Sequence, residues 1–88
     1  MIELGKIIMG IKVISFSGER GKVIQNIGFD SRKVTEGSLF IAVKGSMTDG
    51  HDYIPDAVRS GATAIICERL PENPDRNVSW IVTDDSAK

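Results

Sequence analysis

Apolar and polar positions alternate in short blocks along this chain, and each block predicts one small element. Ile2, Leu4, Ile7, Ile8 and Ile11 recur at mixed three- and four-residue spacings, the face of a short helix ended at Gly10 or just beyond. Val13-Ile14-Ser15-Phe16 is a β-branched run stopped by the turn Ser17-Gly18-Glu19-Arg20-Gly21. Residues 23–29 form a second strand pattern, with Val23, Gln25, Ile27 and Phe29 on one face and Ile24, Asn26 and Gly28 on the other. The two runs are expected to pair as a hairpin.

Leu39-Phe40-Ile41-Ala42-Val43 is apolar throughout, the signature of a strand covered on both faces. Asp52 opens a helix whose apolar stripe is Tyr53, Ile54, Ala57 and Val58, with Asp49 or His51 as cap, Pro55 in the first turn and Gly61 as the stop. Ala62-Thr63-Ala64-Ile65-Ile66-Cys67 is another buried strand, residues 71–77 read as a surface loop, and residues 78–82 as a last strand. The order over 39–67 predicts a right-handed βαβ unit. The fold class is therefore α/β, a small open mixed sheet with one or two main helices.

Composition narrows the function. The 88 residues make one small domain, 1–88, too short for two. A core of this size leaves little room for a deep reaction chamber. Apolar residues are 41% and charged residues 26% of the chain, ordinary for a globular domain. Eleven basic residues against twelve acidic ones, 11 − 12 = −1, argue against a nucleic-acid or membrane-surface binder. The balance is uneven: residues 1–44 carry 7 − 4 = +3 and residues 45–88 carry 4 − 8 = −4. One cysteine, Cys67, excludes an internal disulfide and suits a reducing, cytoplasmic compartment. The sequence breaks off at Thr83-Asp84-Asp85-Ser86-Ala87-Lys88, where an apolar run turns polar, so a fragment of a longer protein is expected.

Two polar clusters follow strands, Asp30-Ser31-Arg32-Lys33 and Ser46-Met47-Thr48-Asp49-Gly50-His51-Asp52. Ligands of open α/β sheets collect at such strand ends, and backbone N–H groups at a helix start favour anions. A phosphate-bearing ligand held by amides beside the Ser31, Ser46 and Thr48 hydroxyls fits this pattern, with Arg32 and Lys33 adding positive charge. Spacing alone favours a plainer reading of both clusters, in which Asp30 caps a turn, Arg32 pairs with it, and residues 48–52 cap the helix. Asp49, His51 and Asp52 also suggest a metal-dependent hydrolase, but no second histidine exists to complete a site. Ser31 or Ser46 with His51 draws a catalytic pair only on paper, since no nucleophile-elbow motif accompanies it. Cys67 and Trp80 read as core. No G-x-x-x-x-G-K-[ST] or G-x-G-x-x-G motif is present, so the chain carries no nucleotide triphosphate loop of its own.

The ordered set Asp30-Ser31-Arg32, then Gly37-Ser38-Leu39-Phe40-Ile41-Ala42, then Asp49-Gly50-His51, then Gly61-Ala62 resembles the amino-terminal domain of the Mur ligases. The match is tight over 27–68 and loose over 1–22. Ile65-Ile66-Cys67-Glu68 and the proline-containing loop after it are most similar to the tripeptide-synthetase (MurE) type. The ligase that adds a D-Ala-D-Ala dipeptide shares much of the pattern.

The resemblance implies one domain of a three-domain enzyme of bacterial peptidoglycan synthesis, which activates a carboxylate with ATP as an acyl phosphate for attack by an amine. The first domain holds the UDP end of UDP-N-acetylmuramoyl-L-Ala-D-Glu. ATP and Mg²⁺ belong to the central domain, so no cofactor is expected in this chain, and the two later domains are its partners in cis. Residue by residue, Phe29 and Ser31 match positions that bind the UDP-substrate, and Ser46, Met47 and Thr48 match a loop that touches the UDP-sugar. No catalytic residue and no metal ligand carries over. The added amino acid, diaminopimelate or lysine, is not encoded here. The competing class is a stand-alone α/β interaction module without a nucleotide ligand.

Overall fold

The computed structural model describes residues 2–42 and 49–84. In chain order these form β1 (Ile2–Glu3), α1 (Leu4–Ile7) continuing as a 3-10 turn at Ile8–Gly10, β2 (Val13–Ser17), β3 (Val23–Ile24) and β4 (Asn26–Gly28). A 3-10 turn at Ser31–Lys33 leads to β5 (Ser38–Ile41). Another, Gly50–Tyr53, leads to α2 (Ile54–Arg59), and β6 (Ala64–Cys67) and β7 (Ser79–Thr83) complete the fold.

Five strands make one mixed sheet in the order β2-β7-β6-β5-β4. Four of them, β4 to β7, run parallel, and β2 lies antiparallel to β7 on one edge. Leu39 sits opposite Ala64 and Phe40 opposite Ile65, so successive residues feed opposite faces. One face buries Phe40, Ile65, Cys67 and Trp80 under Ile54 and Ala57 of α2. The other buries Leu39, Ala64, Ile66 and Ile81 under Leu4, Ile8 and Ile24. Cover on both faces is why β5 and β6 are apolar throughout and why the βαβ unit over 39–67 was legible. Each fully buried Leu, Ile or Phe stabilises by about 1.5–3 kcal/mol.

The expected hairpin between 13–16 and 23–29 does not form. β2 pairs instead with β7, and the second run splits at Gln25. Its first half, β3, joins β1 antiparallel, and its second half, β4, joins β5 parallel. The turn after β2 is fastened elsewhere. Glu19 N donates to Ser79 Oγ at 3.0 Å, and that hydroxyl donates to Glu19 O at 3.1 Å. Gly18, at φ 111°, lies so close to Ser79 that a Cβ would stand 2.5 Å from its Oγ. Only glycine fits there.

The amino-terminal helix is also shorter than its apolar stripe suggests. Leu4 N donates to Lys22 O and Gly5 N to Arg20 O, which ties the first turn to the 20–22 segment. Leu4 and Ile8 enter the core, while Ile2 sits in an exposed ribbon strand. The second helix starts as a 3-10 turn and ends at Gly61 (φ 108°), where Gly37 N donates to Gly61 O.

Candidate functional site

The carboxyl ends of the parallel strands bring together residues 29–33 after β4, 49–53 before α2, and 68–69 after β6. The 31–33 turn packs against α2, which carries the first loop toward the second. Between them lies a hollow of about 430 Å³ lined by Phe29, Asp30, Ser31, Arg32 and Tyr53.

Each wall has a local cause. Asp30 caps the 3-10 turn, accepting from Arg32 N at 3.0 Å. Its two oxygens also take the Arg32 guanidinium, Oδ1 from Nε at 3.1 Å and Oδ2 from Nη2 at 3.2 Å. Those Arg32 contacts hold the Asp30 carboxyl below its usual range. The plainer reading of this cluster is therefore correct for Asp30 and Arg32, and Arg32 is folded back rather than offered as a free positive charge. Ser31 is half-buried, and among the described residues its hydroxyl has no hydrogen-bond partner. Phe29 is 74% exposed, an unusual position for a phenylalanine. A second hollow of about 350 Å³ continues from Phe29 along the edge strand past Ile27, Gly28, Lys33 and Val34. Phe29 and Ser31 are thus brought to one site. Ser46, Met47 and Thr48 lie outside the described residues.

The Asp49-Gly50-His51 cluster is a structural tie. Asp49 Oδ1 accepts from His51 N at 2.9 Å and meets His51 Nδ1 at 2.7 Å, while Oδ2 accepts from Arg69 at 3.1 Å. The bonds from His51, then that from Arg69, lower the Asp49 carboxyl well below its normal value. Glu68 N donates to His51 Nε2 at 2.9 Å. Nε2 is therefore the unprotonated nitrogen, and the proton sits on Nδ1 facing Asp49. With both ring nitrogens engaged and its side chain 4% exposed, His51 has no lone pair left for a metal or for a serine proton. Asp49, rather than His51, is the cap.

Cys67 is buried, and desolvation pushes its thiol up to about 11, which leaves it an inert core group. Trp80 is core, its Nε1 donating to Asp75 O at 2.9 Å. A wider concavity of about 910 Å³, walled by Gln25, Glu36, Arg59, Ser60, Thr63 and Asn77, opens at the amino ends of the strands. Its walls are turn backbone and solvated side chains. Ligands of parallel sheets gather at the other end, so the 29–33 and 49–53 loops make the stronger site.

Sequence reasoning missed Tyr53 as a wall of this hollow. Its helical spacing with Ile54, Ala57 and Val58 marked it as core, whereas it is 41% exposed. The signal available was Pro55, which sets the first helical turn and leaves residue 53 ahead of it.

A family model described as "Mur ligase family, catalytic domain" matches residues 23–87. The curated UDP-N-acetylmuramoyl-L-alanyl-D-glutamate--2,6-diaminopimelate ligase of Phocaeicola vulgatus is 44% identical over 85 residues, covering 97% of this chain and 18% of that protein. The ligase of the same name from Clostridioides difficile is 49% identical over 67 residues, 76% of this chain and 14% of its own length. Among solved structures, MurF ligase from Thermotoga maritima in complex with ADP superposes with a TM-score of 0.64 at 40% identity, over 77% of this chain and 15% of that one. The chain thus spans less than a fifth of the curated relatives it matches.

Proposed function

The chain belongs to the Mur ligase family, and from that premise we propose that it is the amino-terminal, substrate-holding domain of an ATP-dependent ligase of peptidoglycan synthesis. The substrate is UDP-N-acetylmuramoyl-L-Ala-D-Glu, and the parent adds diaminopimelate, as the names of its relatives suggest. The observation that carries this reading is the convergence on one hollow, at the carboxyl end of the sheet, of exposed Phe29 and Ser31, whose hydroxyl has no partner among the described residues. Phe29 holds the uridine end, and Ser31 binds a ribose or diphosphate oxygen. Ser46, Met47 and Thr48 are proposed to complete the site with backbone amides.

ATP and Mg²⁺ do not fit the described residues. Among the described residues, the strand-to-helix turn at 49–51 already has the Asp49 carboxylate on its N–H, and Asp49 itself is engaged by His51 and Arg69. ATP chemistry accordingly falls to the central domain, and the central and carboxyl-terminal domains act as partners in cis. An ADP-bound MurF among the solved relatives is consistent with that division. The work of this domain is then binding remote from the reacting carboxylate. Such binding energy orients the carboxylate for acyl-phosphate formation and amine attack. A cytoplasmic location is supported by the chain's single cysteine, the buried Cys67, a usage that suits a reducing compartment. Among the described residues no helix is long and apolar enough to cross a membrane.

A second reading, the equivalent domain of the dipeptide-adding ligase, draws support from the MurF superposition. Sequencing beyond Lys88 separates both from a stand-alone module, since a ligase continues into a G-T-N-G-K-T/S segment. In the full-length enzyme, Ser31→Ala should raise KM for the UDP-substrate about tenfold, the value of one lost hydrogen bond to a charged or polar ligand group. Turnover should change little. A large loss of kcat at unchanged KM would refute the binding role.

A further inference from the structure

The hollow between the 29–33 and 49–53 loops has two aromatic walls, and only Phe29 has so far been given a role. Tyr53 faces the same space from the other loop, 41% exposed although it directly precedes the buried Ile54. A core role would bury it. Asp30, Ser31 and Arg32 line the rest of it.

The charge on that lining decides what the hollow suits. Both Asp30 oxygens are bound by Arg32, so carboxylate and guanidinium largely neutralise each other. The Asp30 contacts favour the charged form of the guanidinium. The pair sums to no net charge, so the hollow offers a phosphate little net attraction. A flat, uncharged heteroaromatic ring needs no such attraction, and the hollow offers it two aromatic side chains, Phe29 and Tyr53, beside Ser31, whose hydroxyl has no hydrogen-bond partner among the described residues.

We propose that Tyr53 is the second aromatic wall of the nucleotide subsite, closing with Phe29 on the planar base of a uridine-type nucleotide. The proposal rests on the substrate-holding reading above and adds to it a base-recognising residue. It also divides the ligand: the base lies between Phe29 and Tyr53, and the diphosphate lies beyond the Asp30–Arg32 pair. The tyrosine acts through its ring face, so its hydroxyl is dispensable.

Steady-state kinetics of the full-length enzyme test this, with KM for the UDP-substrate, KM for ATP and kcat measured separately. Tyr53→Leu should raise KM for the UDP-substrate about tenfold, within the range for removing one base–aromatic stack, and leave KM for ATP and kcat unchanged. Tyr53→Phe should stay within about twofold of the parent. Tyr53→Trp, in a Trp80→Phe background, should lose indole fluorescence as UDP is added. If Phe29→Ala raises KM while Tyr53→Leu does not, the clamp is overturned and the substrate-holding reading stands. If neither substitution moves KM, both fall. If Tyr53→Leu lowers kcat and thermal midpoint together, and Tyr53→Phe does not restore them, Tyr53 is a structural support and the proposal is refuted.

Discussion

Replacing His51 with alanine tests the structural tie that anchors the loop ahead of α2. The ring accepts a hydrogen bond from Glu68 N at 2.9 Å and contacts Asp49 Oδ1 at 2.7 Å, with 4% of the side chain exposed. Truncation leaves the Glu68 N–H without its acceptor, which costs about 1–3 kcal/mol if no water reaches it. The cavity left by a buried ring adds a further cost of order 1–2 kcal/mol. A total near 3 kcal/mol is expected, a large share of the roughly 4–13 kcal/mol typical of a domain this long. The assay is urea unfolding followed by Trp80, the one tryptophan, which is buried and reports loss of the α2-side core. The midpoint should fall by about 2–3 M at an m-value near 1 kcal/mol/M, with m unchanged. His51→Ala combined with Asp49→Ala should cost less than the sum of the two, because both remove the same contact. A loss under about 1 kcal/mol, or strict additivity, would refute the tie.

Two further outcomes follow from local geometry. Asp49 has its carboxyl lowered by the His51 and Arg69 contacts, so the stability it contributes is fully present above the ordinary carboxylate value near 4 and is lost as pH falls below it. Asp49→Asn should therefore flatten the acid limb of a stability-versus-pH curve below about pH 4 while leaving its neutral slope alone; an unchanged acid limb would contradict the assignment. Gly61→Ala forces a non-glycine residue to φ 108° and places a Cβ 2.7 Å from Glu36 Cα, a backbone atom that cannot swing away. A loss of at least about 2 kcal/mol in the same urea assay is expected, whereas a neutral effect would mean the 36–37 and 61 turns part easily.

The sequence by itself determined the βαβ centre of this protein. Leu39-Phe40-Ile41-Ala42 and Ala64-Ile65-Ile66-Cys67 are apolar on both alternating faces, and such strands are stable only inside a sheet covered twice. Pro55 and Gly61 marked the ends of the intervening helix through backbone constraints that act within a few residues. Asp30 and Asp49 were legible as caps for the same reason, since each bonds an N–H two residues ahead. The ordered motifs also sufficed to indicate the family.

Only the tertiary structure decided the rest. β2 takes its partner from residues 80–83, more than sixty positions away, and no local pattern distinguishes that pairing from a hairpin with 23–29. Beside that ladder, Ser79 fastens the Gly18–Glu19 turn that follows β2. His51 read from spacing as part of a helix cap, with nothing to indicate that Glu68 N, seventeen residues on, donates to its Nε2. Tyr53 looked like core because a 3.6-residue period was assumed where the chain turns as a tighter 3-10 helix, and it stands exposed on the wall of the hollow that Phe29 also lines. Periodicity and capping are set by neighbours in the chain. Which side chains share a hollow, and which polar atoms are already engaged, is set by contacts that exist only once the sheet has closed.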